Sequence, residues 1–221
     1  DMKPSAIAAA LVGCAIALPA FATEPAAFDA RIEALANSWA RANYQATDKP
    51  ARAAQAAGVA AQADALAKQN PGRAEPLVWE AIALATEGGA EGGLKGLGHA
   101  KEAKALLERA EKINPRALGD GSVYTSLGSL YAQVPGFPIG FGDPGKARAY
   151  LQKALAANPN GVDPNFFWGD FLLRQGDYAG AVKALERAMA APSRPGRAVA
   201  DQGRQHDAAV LLAQARAKLH A

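Results

Sequence analysis

A small, large, small triad of apolar residues recurs three times along the chain at spacings of four and three: Ala103, Leu107, Ala110; Ala147, Leu151, Ala154; and Ala181, Leu185, Ala188. Those intervals place each triad on one stripe of an α-helix. Asn-Pro closes the helical segments ADALAKQNP, ALLERAEKINP and YLQKALAANP, and the pairs at Asn70, Asn114 and Asn158 are each separated by 44 residues. A fixed period ending in a proline stop predicts an array of helical repeats.

The register fits the tetratricopeptide (TPR) pattern of two helices per repeat. In the central repeat Tyr124, Leu127, Gly128 and Tyr131 occupy first-helix positions, and Ala147, Leu151, Ala154 and Pro159 occupy second-helix positions, with seven residues inserted between. The preceding repeat opens with Trp79 and Ile82 and carries the glycine-rich EGGAEGGLKGLG, read as a flexible inter-helix insertion. The third, from Gly169 to Pro192, needs no insertion, and Gly176-Asp177 supplies its turn. Small residues such as Gly128, Ala147 and Ala154 fall where paired helices approach closely. The expected fold is all-α, an antiparallel helix-pair array of three to four TPR-like repeats (an α-α superhelix), with a degenerate first pair and a solvating C-terminal capping helix.

Composition agrees with this picture. Half of the 221 residues are hydrophobic, a fifth are charged, and alanine makes up about a quarter of the chain. The net charge of +3 is dispersed, with no basic run, so nucleic acid is not an expected partner. The first residues read as an export signal over 1–22: Asp1 precedes the natural start, Met2 and Lys3 lead into AIAAALVGCAIALPAFA, and Ala20-Phe21-Ala22 is an A-x-A cleavage site. Leu11-Val12-Gly13-Cys14 also has the form of a lipobox, which would anchor the protein by an acylated Cys14. Either route places a single helical domain, 23–221, outside the cytoplasm, in the periplasm or at the outer membrane.

Catalytic chemistry is hard to find. His99, His206 and His220 have no His or Cys partner at metal-ligand spacing and read as surface histidines. Glu108, Glu111 and Glu186 stand three or four residues from basic residues, as solvated salt pairs do. No nucleophile elbow, P-loop, dinucleotide fingerprint or zincin motif occurs. Neither an enzyme nor a cofactor or metal site is expected.

The aromatic residues are concentrated instead. QVPGFPIGFGDPGK, residues 133–146, interrupts the helices with Phe137, Ile139 and Phe141 among three prolines and four glycines. Phe166, Phe167, Trp168 and Phe171 open the next repeat. These can wedge between helices as core or line a pocket. A proline-stiffened loop holds apolar side chains at low entropic cost, which favours folding of the 134–145 loop over the array to close an apolar cavity or a partner site. The candidate ligand-binding residues are Trp79, Tyr124, Tyr131, Phe137, Ile139, Phe141, Phe166, Phe167, Trp168 and Phe171.

From Gly121 to about Leu212, including the loop and the Arg194, Arg197, Asp201, Arg204 stretch, the sequence resembles the periplasmic TPR proteins associated with TRAP-type transporters, the TatT-like family. The resemblance implies a non-enzymatic, exported, all-helical protein that accompanies a substrate-binding protein and handles apolar or organic-acid ligands. Related envelope TPR components serve bacterial lipid and sterol transport. Two expectations follow: a binding component of an envelope transport system, taking a lipid, sterol or hydrophobic organic acid, or a scaffold docking a substrate-binding protein, membrane transporter or outer-membrane partner.

Overall fold

The computed structural model describes residues 24–219, which form nine α-helices: α1 (Glu24–Tyr44), α2 (Lys49–Gln69), α3 (Glu75–Glu91), α4 (Gly93–Ile113), α5 (Ser122–Gln133), α6 (Pro144–Ala157), α7 (Val162–Arg174), α8 (Tyr178–Met189) and α9 (Ala198–Leu219). The expected export signal and Cys14 lie outside the described residues. Four antiparallel pairs followed by α9 make an all-α TPR-like array, and among the described residues there is no strand, only a single bridge between Gly136 and Gly142.

Asn70, Asn114 and Asn158 are the C-cap residues of α2, α4 and α6. The proline after each forces its Asn out of the helical region, so the 44-residue period marks the end of every second helix up to α6. The triads are core: Ala103, Leu107, Ala110, Ala147, Leu151, Ala154, Ala181, Leu185 and Ala188 are all buried. Two of the leucines sit beneath a glycine of the partner helix. A Cβ at Gly128 would lie 2.6 Å from Leu151 Cγ, and one at Gly169 would lie 2.6 Å from Leu185 Cγ. Only glycine lets these helices come so close.

The glycine-rich segment is not the flexible insertion expected from its composition. α3 runs to Glu91, α4 starts at Gly93, and Gly92 at φ +70° with Gly93 at φ +58° turns the chain between them. The reason is packing. Gly88 and Gly96 face each other across the α3–α4 crossing, where a Cβ on Gly88 would stand 2.8 Å from the Gly96 carbonyl oxygen.

The odd-numbered helices form the inner layer: α1 touches α3, α3 touches α5, α5 touches α7, and α7 touches α9. α9 then returns to α1, and the layer closes into a ring. α9 is the expected C-terminal capping helix, with one face in solvent and the other packed on the array. It buries Ala200, Asp201, Arg204, Ala208, Leu212 and Ala215, and Gly203 provides the flat spot against which the Tyr44 ring rests.

Candidate ligand-binding cavity

The ring surrounds a cavity of about 1170 Å³, lined by residues of α1 through α5, α7 and α9 and by the 134–139 segment. The first turns of α7 and the inner face of α9 position its chemistry. Phe166 and Phe167 pack edge to face, 5.1 Å apart, and the Arg204 guanidinium lies 4.5 Å from the first ring and 4.8 Å from the second. Across from them, Trp39 stands 5.8 Å from Trp79 and 5.9 Å from Tyr44. The Trp39 indole N–H donates to Thr86 Oγ1 at 2.9 Å.

An ion-pair network fixes this wall. Asp163, in the first turn of α7, accepts from Arg204 Nε and from Arg194 Nη1, both at 2.8 Å. Arg194 also pairs with Asp201 at 2.6 Å, and Arg204 with Asp207 at 3.4 Å. Burial works against ionisation of Asp163, but Arg204 and Arg194 outweigh it and hold its carboxyl below the usual range. At the other end Asp170 pairs with Arg174 at 3.0 Å and accepts from Gln133 at 3.3 Å.

Arg197, at the turn into α9, is different: its guanidinium lies 5.2 Å from the Trp79 ring, and among the described residues it forms no ion pair. Burial, and then the neighbouring Arg194, push it below the ordinary arginine value, although it stays charged. Tyr44 is pushed up to about 12, chiefly by burial, so its hydroxyl is a neutral donor at physiological pH. Asp120 accepts from the backbone N–H of Ser122 at 2.9 Å and from its hydroxyl; burial raises its carboxyl above the ordinary aspartate value.

Of the residues singled out from the sequence, Trp79, Phe166, Phe167 and Ile139 line the cavity. The others are placed elsewhere. Tyr124, Tyr131 and Tyr150 run along the α5–α6 interface, with Tyr131 and Tyr150 stacked at 5.8 Å. Phe141 sits edge-on to Tyr131 at 5.7 Å, beside Lys104. Trp168 and Phe171 pack on each other and on Arg148 of α6. Phe137 is 94% exposed. The loop does reach over the array, but it offers the cavity Val134, Pro135 and Ile139 rather than its phenylalanines. Pro135 O accepts from Gly142 N–H, and Tyr131 O from Asp143 N–H, both at 2.9 Å, which ties the loop back onto α5.

His99 is not a plain surface histidine, for its Nε2 lies 3.0 Å from Glu91 and 3.6 Å from Glu87. These three donors lie within 4.8 Å of one another, close enough to hold a metal ion, and Lys95 shares Glu91 with the imidazole. Of the three carboxylates read as intrahelical pairs, only Glu108 is one, with Lys104. Glu111 instead accepts from Tyr150 on α6, and Glu186 pairs with Arg216 on α9.

Sequence reasoning missed Trp39 and Tyr44, and it placed Arg194, Arg197 and Arg204 in the family resemblance but not in the site. Their signal was present: Arg194, Arg197, Asp201 and Arg204 recur at spacings of three, four and three, one stripe of polar residues continuing into a helix with an alanine-rich face.

The tetratricopeptide-repeat family model matches residues 139–200, from the loop through α6, α7 and α8. No protein of curated function matches the sequence. Among solved structures the chain is similar to a thermophilic TPR protein of Thermus thermophilus, with a TM-score of 0.53 and 19% identity over 84% of this chain and 90% of that one. With its helix pairs, its glycine-spaced crossings and this match, the chain folds as a TPR-type helical-repeat protein.

Proposed function

We propose that the protein is a non-enzymatic binding component of an envelope transport system, exported to the periplasm, which holds an apolar small molecule in the open cavity lined mainly by its odd-numbered helices. The observation that carries this reading is the cavity: about 1170 Å³ inside the ring, with Trp39, Trp79, Phe166 and Phe167 on its walls. The space is somewhat larger than the roughly 300–1,000 Å³ of most ligand pockets, which suits a lipid-, sterol- or fatty-acid-sized body. The likeness of residues 121–212 to the TatT-like proteins supports the same class and the association with a substrate-binding protein. The carboxylates of the cavity are engaged by arginines or by Ser122, which favours binding over catalysis.

The test is native mass spectrometry of the protein purified from its own envelope fraction. Adducts of apolar small molecules, removed by delipidation and restored by adding the extracted lipid, are expected. A protein recovered from the cytoplasmic fraction, or one without adducts that rejects every lipid class, would overturn the proposal.

A second reading, a docking scaffold, is favoured by the exposed apolar side chains Leu94, Phe137 and Ile139 and by the protein-binding use to which TPR folds are put. Co-purification of a stoichiometric protein partner, lost on Phe137→Asp, would favour it.

A further inference from the structure

The tight turn between α3 and α4 brings three metal-ligating side chains together outside the central cavity. Glu87 and Glu91 lie four residues apart, one turn above the other at the C-terminal end of α3. His99 comes from α4, and it reaches them because Gly88 and Gly96 let the two helices touch: a Cβ on Gly88 would stand 3.1 Å from His99 Cβ. Its Nε2 lies 3.0 Å from Glu91 Oε2 and 3.6 Å from Glu87 Oε1, and one donor of each residue falls within 4.8 Å of the other two. An ion with tetrahedral bonds of about 2.0–2.1 Å spaces its donors about 3.3–3.4 Å apart, so the observed separations need little adjustment.

Charge and access point the same way. The Glu87 side chain is 12% exposed, yet among the described residues it pairs with no lysine or arginine, only with His99. α3 has no basic residue in its last turn and ends on Glu91, so the negative end of the helix dipole meets carboxylates where a cation is favoured. Lys95 of α4 contacts Glu91, but its side chain is 71% exposed and can swing into solvent. A cleft of about 500 Å³ between the start of α2 and the end of α3, lined in part by Lys49, Ala53, Glu87, Ala90 and Glu91, leaves both carboxylates reachable. Glu87, Glu91 and His99 do not line the central cavity.

We infer that Glu87, Glu91 and His99 bind a divalent transition-metal ion of the zinc class, each through one donor, with water in the fourth position. An imidazole with two carboxylates suits zinc, whereas calcium and magnesium take oxygen ligands. The ion displaces Lys95 from Glu91 and staples α3 to α4 across their turn. The site is independent of any ligand in the central cavity.

Calorimetric titration of the untagged full-chain protein, stripped with EDTA, tests this with Zn²⁺ as the probe, and melting temperature is followed beside it. Zn²⁺ is expected to bind and to raise the melting temperature, whereas Mg²⁺ should do neither. His99→Gln and Glu87→Gln should each weaken Zn²⁺ roughly tenfold or more and remove the rise. Lys95→Ala, an exposed change, should tighten Zn²⁺ severalfold, which general damage to the fold would not do. No binding of Zn²⁺ by the parent would overturn the site and leave His99 as a histidine held by two glutamates. Binding that survives His99→Gln and Glu87→Gln unaltered would put the ion elsewhere and overturn it equally. If those variants do not fold, Lys95→Ala decides the matter, an affinity no tighter than the parent's overturning the site.

Discussion

Gly88 of α3 and Gly96 of α4 cross with nothing but backbone between them, so that a methyl group on either would collide with the carbonyl of the other. Gly89 and Gly98, on the same two helices, face open space. The two kinds of site predict opposite signs. Gly89→Ala or Gly98→Ala should stabilise the protein by about 0.5–1 kcal/mol, the helix preference of alanine over glycine. Gly96→Ala should destabilise it by roughly 1–3 kcal/mol, the cost of overpacking. Denaturant midpoints of the single variants check both, and a stable Gly96→Ala would show that the crossing can spread freely.

Removing Arg204 should be far more damaging. It lies 8% exposed, and its loss leaves Asp163 with Arg194 alone. Arg204→Met is expected to cost about 3–5 kcal/mol, as does breaking a buried pair from one side. Adding Asp163→Asn to that variant should recover part of the loss. A double variant no more stable than the single would sink this account.

Stability should also depend on Glu80, whose carboxyl is raised from 4.5 to about 7 by burial and by the nearby Asp64 and Glu102. A carboxyl raised in the folded state favours folding while it is protonated. That contribution is fully present below the unfolded value near 4.5 and fades as pH rises through about 7. Compared with the parent, Glu80→Gln should therefore gain in relative melting temperature between pH 4.5 and 8. A constant difference across that range would contradict the assignment.

The two loop phenylalanines should part company. Phe141→Ala removes a half-buried ring packed on Tyr131 and should cost about 2 kcal/mol, below the roughly 3–5 kcal/mol expected for a fully buried ring, with binding of the extracted lipid unchanged in the folded protein. Phe137→Ala should fall within about 0.5 kcal/mol of the parent, because its ring is exposed. Melting and titration of each variant provide the comparison. A binding loss in folded Phe141→Ala would return that residue to the ligand site.

The fold was legible because its constraints are local and repeated. Asn114 before Pro115, or Gly128 opposite Leu151, carries its reason within one helix pair. The Gly88–Gly96 crossing was misread because composition cannot distinguish a glycine that loosens a chain from one that lets two helices touch. The cavity was half legible. Phe166 and Phe167 announced themselves by being adjacent in sequence, whereas Tyr44 meets Arg204 only once α9 has come back to α1, and Arg197 meets Trp79 only across the ring. The tyrosines of α5 show the converse, for Tyr131 follows the repeat pattern and its ring serves the α5–α6 interface.

The return of α9 to α1 bears on how the protein folds and fails. An open solenoid has two free ends and can fray from either, one unit at a time, since each unit leans only on its neighbours. Here Tyr44 rests on Gly203, across nearly the whole described chain, so the last contact to form demands the largest loop. Unfolding in urea should accordingly be a single transition reported alike by tryptophan fluorescence and helical dichroism, and separate transitions would argue against it. Such a molecule behaves as a hoop rather than a spring: cutting it at one joint slackens every other joint.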